Sequence, residues 1–322
     1  MTVAAWQSGL RRLLVTSTCL SLVMLNCLVG CGDSSEARRI QDLRRRLAEQ
    51  DDTPEPQPYR KSWLGSSSIT VAPGIHALAL SPSAAYAIET SQGVILIDAG
   101  VDEEARLLRE CLISVGISID QIRYLLITHA HYDHVFGINR VREVSGAVVC
   151  AGAEDCETLR NADRQALFSL FPRTPFSGNS IPVDRELVDG DTITLGDTKV
   201  QVMATPGHTP GSVCYLLERA GERFLFSGDV VASMNFGPAT YPVYLPPRFK
   251  GDAADYAESI QRLLDMDPPD MLLTGHPRQQ RRPQSLELDS QQWQDLLNSA
   301  KDELRTALDR QRDDGAERRS HD

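Results

Sequence analysis

Short apolar runs, each ending in a polar or glycine-rich segment, recur along the chain and read as strands. Residues 68–80 and 85–90 fit this pattern. Val94, Ile95, Leu96 and Ile97 form a buried-type strand that stops at Asp98, Ala99 and Gly100. Residues 124–127 form another, running straight into Thr128-His129-Ala130-His131-Tyr132-Asp133-His134. Further strands are predicted at 147–151, 192–195, 199–203, 213–217 and 223–226, with a final one at 271–273. Helical spacing predicts helices over 103–115 and 252–264. A last helix is predicted from Leu286 to about Asp309, with Trp293, Leu296, Leu297, Leu304 and Leu308 on the side that packs on the domain. The alternation describes a strand-rich α/β domain, and polar residues gather where its strands end, the usual place for a site in such folds.

The N-terminus breaks this pattern. Arg11 and Arg12 precede an uncharged apolar run from residue 13 to 30 that stops at Cys31, Gly32 and Asp33. This is the layout of a signal peptide, although its length is also at the lower limit for a membrane span. Leu28-Val29-Gly30-Cys31 resembles the bacterial lipobox, which implies lipidation of Cys31 and an exported protein anchored in a membrane by lipid. Residues 1–30 are thus expected to be a lipoprotein signal peptide and 31–63 a charged, Pro-rich spacer. The folded domain is expected over 64–280, with a helical extension over 281–322.

Composition narrows the partners. The chain has 322 residues, 41% of them hydrophobic and 24% charged, which suits globular domains rather than a disordered chain. Its net charge of −11 falls to −13 once the two N-terminal arginines are removed. Without a basic stripe, a nucleic-acid groove is not expected, and a small-molecule substrate is. The seven cysteines form no C-x-x-C pair, so a structural zinc ribbon is not supported, but in an exported protein Cys150 and Cys156 could form a disulfide.

The histidines carry the chemistry. Five of seven fall in three places, each after a strand. In the first, alternate residues of an extended segment point the same way, so His129 and His131 can meet one metal while the following turn brings Asp133 and His134 to a second. Three imidazoles and a carboxylate within six residues are costly to crowd without a metal. The second place is His208, in a turn of Pro and Gly residues, and the third is His276, after Gly275. Asp229 closes another strand end. Five His and two Asp are enough for two metals sharing a carboxylate.

The H-x-H-x-D-H core and its companions resemble the metallo-β-lactamase superfamily over roughly residues 69–277. The resemblance implies a four-layer αβ/βα sandwich, two packed mixed sheets with helices outside. It implies that His129, His131 and His208 hold a first metal, that Asp133, His134 and His276 hold a second, and that Asp229 bridges them. Asp98 matches a buried acid that orients ligands. Zinc β-lactamases usually carry Cys or Ser where this chain has Asp229; an Asp there resembles glyoxalase II-like thioesterases, lactonases and related hydrolases. Neither the basic residues with which glyoxalase II binds glutathione nor the lactonase tyrosine after the bridging Asp is found, which leaves the acyl group open.

Two divalent ions, zinc first with iron or manganese as alternatives, would lower the pKa of a bound water enough to attack an ester, thioester, lactone or lactam carbonyl near neutral pH. Asp133 would shuttle the proton to the leaving group. Metal-bound imidazoles must be neutral, so activity is expected to fall in acid. The rival readings are a mononuclear iron oxidoreductase of the same fold, resembling persulfide dioxygenases; a phosphodiesterase, disfavoured by acidity and export; and a non-catalytic binding protein, disfavoured by a full ligand set. The aromatic segments 167–176, with Phe168, Phe171 and Phe176, and 234–249, with Asn235, Tyr241, Tyr244 and Arg248, are candidates to shape the pocket.

Overall fold

The structure, a computed structural model, describes residues 68–80, 82–163, 179–231, 251–276 and 285–319. Cys31, the spacer and both aromatic segments lie outside them. Seven strands form the first sheet, in chain order: β1 (Ser68–Ala72), β2 (Ile75–Ala79), β3 (Ala84–Thr90), β4 (Gly93–Ile97), β5 (Ile122–Ile127), β6 (Val148–Gly152) and β7 (Arg185–Leu187). The first four pair antiparallel, whereas β4 to β7 run parallel. Parallel neighbours need crossovers. Here the crossovers carry α1 (Arg106–Ser114), the short α2 (Tyr132–Val135), α3 (Ile138–Ser145) and α4 (Cys156–Arg160).

The second sheet contains β8 (Thr192–Leu195), β9 (Thr198–Ala204), β10 (Val213–Arg219), β11 (Glu222–Gly228), β12 (Met271–Thr274) and β13 (Ser285–Glu287), ordered β13-β12-β11-β10-β9-β8. Its covering helices are α5 (Ala253–Asp265) and α6 (Ser290–Arg319).

Period-two alternation sorts the apolar side chains into layers. Ile95 and Ile97 meet Tyr215, Phe224 and Phe226 between the sheets. Val94 and Leu96 point the other way, to Leu108, Leu112 and Val141 on the first helical layer. Leu225, between the two phenylalanines, faces Tyr256, Leu263, Trp293 and Leu297 on the second. The result is the expected αβ/βα sandwich, with two mixed sheets inside and helices outside.

Three local readings change. The run 68–80 is two strands, because Pro73 and Gly74 turn the chain and pair Thr70 with His76. Leu286 belongs to β13, opposite Leu272, rather than to the last helix. That helix starts after Asp289, whose carboxylate accepts the Gln292 N–H at 2.8 Å and whose carbonyl accepts the Trp293 N–H at 2.9 Å. Its stripe of Trp293, Leu297, Ala300 and Leu304 packs on the domain as expected. Finally, Cys150 and Cys156 are free. Cys150 faces the inter-sheet core and Cys156 the helical layer, so β6 and the turn after it place the two thiols on opposite sides of one sheet. Burial pushes both up, to about 12 and about 11. Among the described residues no helix is long and apolar enough to cross a membrane.

Candidate metal centre

The seven predicted ligands converge where β5, β11 and β12 end and where β9 turns into β10. His131 is still extended, at φ −99° and ψ 147°, and α2 begins on the next residue. The His129 and His131 rings therefore lie together, centroids 4.5 Å apart, before the helical turn redirects Asp133 and His134. The ligand atoms of His129, His131, His208 and Asp229 all lie within 4.8 Å of one another, and so do those of Asp133, His134 and His276. All seven residues are buried.

Asp229 stands between the two groups. Its Oδ2 is 3.8 Å from His129 Nε2, 3.5 Å from His208 Nε2 and 3.1 Å from His276 Nε2. Its Oδ1 is 3.6 Å from His134 Nε2. Asp133 Oδ2 lies 3.4 Å from His276 Nε2 and 3.8 Å from His134 Nε2. Glycine at 275 permits this: an added Cβ would meet Asp229 Oδ1 at 2.3 Å and the Gly228 backbone at 2.8 Å.

Hydrogen bonds behind the ligands settle which ring nitrogen faces inward. Asp98 accepts from the Thr128 N–H at 2.9 Å and the Thr128 hydroxyl at 2.8 Å, and its Oδ2 takes His134 Nδ1–H at 2.9 Å. Because the Thr128 hydroxyl proton goes to Asp98, its oxygen accepts from His129 Nδ1, 3.0 Å away. His276 Nδ1–H donates to the Pro82 carbonyl at 2.9 Å. All three rings thus turn Nε2 toward the centre, where His276 Nε2 lies 3.1 Å from Asp229 Oδ2. The turns are held by α5: Tyr256 reaches the Asp229 carbonyl at 2.7 Å, Ser259 donates to the Pro206 carbonyl at 2.7 Å, and the Asp252 N–H bonds the Gly207 carbonyl at 3.0 Å.

The donor set fits divalent cations. His129 Nε2, His134 Nε2 and Asp229 Oδ1 are buried and make no hydrogen bond among the described residues. Buried acceptors without partners are costly, and a cation is the partner that serves them all at once. Imidazole and carboxylate donors suit zinc and also iron.

Charge is arranged to match. Burial, followed by the neighbouring imidazoles, holds His129 and His131 well below the usual histidine range. Burial also pulls on His134, but Asp229, Asp133 and Asp98 outweigh it and push the ring up to about 10. His276 is raised against burial chiefly by Asp229. Asp229 itself, despite burial, is held well below the carboxylate range by His276, His134 and His129. Protons on His134 and His276 compete with a cation for the same lone pairs.

Asp98 touches two of the seven candidate ligands, His134 directly and His129 through Thr128. Asp155, Tyr256, Thr128 and the Pro82 carbonyl were not singled out from the sequence. Tyr256 lies among the apolar positions of a helix, and nothing local marks it as reaching a strand end 27 residues back.

A family model described as the metallo-beta-lactamase superfamily matches residues 78–276. The chain is 30% identical over 156 residues to a hydroxyacylglutathione hydrolase of Rhodobacter capsulatus, covering 48% of each protein. It is 31% identical over 199 residues to an acyl-coenzyme A thioesterase of Gallus gallus, covering 56% of this chain and 66% of that one. The chain therefore spans about half to two thirds of the length of these relatives. Among solved structures, a subclass B3 metallo-beta-lactamase of Bradyrhizobium japonicum superposes with a TM-score of 0.61 at 24% identity, over 78% of this chain and 97% of that one. That likeness concerns the fold.

Proposed function

The chain belongs to the metallo-β-lactamase superfamily, and we propose that it is a dinuclear metal-dependent hydrolase of ester, thioester or lactone carbonyls, with lactams behind them. The observation that carries this reading is Asp229, whose two oxygens face the two donor groups. His129, His131 and His208 would hold one ion, Asp133, His134 and His276 the other, and Asp229 both. When bound, the ions supply a water of lowered pKa near neutral pH and an electrophile for the carbonyl oxygen.

The protein's own groups do the rest. Asp133 accepts a proton from the nucleophile and returns it to the leaving group. Asp98 fixes His134 directly and His129 through Thr128, so each ring turns Nε2 toward the centre. The names of two relatives support acyl substrates on a sulfur leaving group, since hydroxyacylglutathione and acyl-coenzyme A are both thioesters.

The test is a substrate panel of esters, thioesters, lactones, β-lactams and phosphodiesters, run beside metal analysis of protein purified without added metal. Two zinc ions per chain with carbonyl hydrolysis are expected. One tightly held iron per chain would move the reading to the oxidoreductase, and a phosphodiester preference would move it to a nuclease-type enzyme.

We also propose that the protein is exported and lipid-anchored through Cys31, on the strength of the uncharged run 13–30 and the Leu28-Val29-Gly30-Cys31 sequence. The wild type should partition with membranes, and Cys31→Ser should escape cleavage after Gly30. Soluble, unlipidated mature protein would leave ordinary secretion as the answer.

A further inference from the structure

We propose that Asp155 is the positioning residue for the ion held by His129, His131 and His208, clasping together the two loops that carry those rings; this rests on the metal reading above. Asp155 closes the turn of 3-10 helix Ala153–Asp155 that follows β6, and it is 2% exposed. Its carboxylate joins the two loops that carry the proposed ligands. Oδ2 accepts the Ala130 N–H at 2.8 Å, and Ala130 lies between His129 and His131. The same oxygen accepts the Thr209 hydroxyl at 2.7 Å, and Oδ1 accepts the Gly211 N–H at 2.9 Å, both from the loop that presents His208.

The rest of the network is built around that carboxylate. Since Thr209 gives its hydroxyl proton to Asp155, the Ser212 hydroxyl, 2.8 Å away, donates to Thr209 Oγ1 and accepts the Thr209 N–H at 2.9 Å. Every proton has one destination. Glycine at 211 makes the approach possible, because an added Cβ would lie 2.3 to 2.7 Å from Asp155 atoms. The two loops come from different sheets, 77 residues apart between His131 and His208, yet their ring nitrogens stand 2.9 Å from each other. A buried carboxylate receiving two N–H groups and one O–H fixes that meeting, as Asp98 does on the other side of the centre.

Asparagine has the size of Asp155 but one acceptor oxygen, so it cannot take three donors converging on two oxygens. Asp155→Asn should therefore weaken zinc binding at the His129, His131, His208 group by about 10- to 100-fold. Zinc affinity is measured by competition with a chromophoric chelator, in full-length protein, alone and combined with His134→Ala or with His129→Ala. With His134→Ala, adding Asp155→Asn should remove the remaining ion; with His129→Ala it should leave the remaining ion in place. Equal loss in both backgrounds, or no loss in either, would overturn the proposal. Thr209→Val, which removes one donor and spares the carboxylate, should show the same site preference with a smaller change, and it serves if Asp155→Asn does not fold. The wild type tests the underlying reading separately: a single zinc per chain ends the dinuclear scheme, and the response of that one ion to Asp155→Asn still decides the role of Asp155. A wild type that binds no zinc ends both.

Discussion

His131→Ala and Asp133→Ala should each lower turnover by about 10³-fold or more while leaving a folded protein, judged from what a metal-activated water contributes to hydrolysis. Both side chains are buried, yet neither belongs to any of the three apolar clusters that hold the sandwich together. Each substitution removes a polar group from a crowded polar site, so no apolar packing is lost. The Asp133 backbone also stays anchored, because its carbonyl accepts the Ser83 hydroxyl whatever the side chain. The two variants should differ in metal content: losing His131 takes a ring from the first group, and losing Asp133 takes a carboxylate from the second. Circular dichroism, bound metal and kcat/KM on the purified variants give the answer together. Turnover like the wild type's in either variant would remove the site assignment.

The seven converging side chains were legible because each sits at a strand end with its own local signal. Alternation delivers His129 and His131, the following turn delivers Asp133 and His134, and glycine precedes His276. The sheets were legible for a related reason, since strands buried on both faces, such as β4 and β5, leave unbroken apolar runs. What the chain hides is pairing at a distance. Asp155 follows Glu154 at a strand end, and sequence offers no reason to choose between the two acids; only the folded chain brings the Ala130 and Gly211 amides to one of them. The β13 strand was hidden because Leu286 and Leu288 precede a capping Asp289, and an apolar residue just before a cap extends a helical stripe as readily as it forms a strand. The thiols of Cys150 in β6 and Cys156 at the start of α4 show the reverse case, where spacing left a disulfide open and their places on opposite sides of the sheet close it.

Asp229→Ala should lose metal, most readily the ion held by Asp133, His134 and His276, and with it hydrolysis. The Asp229 carboxylate reaches both groups: Oδ2 faces the His129 and His208 rings and also His276, while Oδ1 faces His134. A cysteine or serine at this point would bind mainly one of the two. The same residue bears on substrate. By resemblance, zinc β-lactamases carry Cys or Ser there, and the Bradyrhizobium japonicum β-lactamase shares this chain's fold at 24% identity. Metal-replete wild type should therefore hold two ions per chain and hydrolyse simple esters, thioesters or lactones with higher kcat/KM than penicillins or carbapenems. A β-lactam preference would overturn the argument from Asp229 to substrate, and two ions retained in Asp229→Ala would overturn its bridging role.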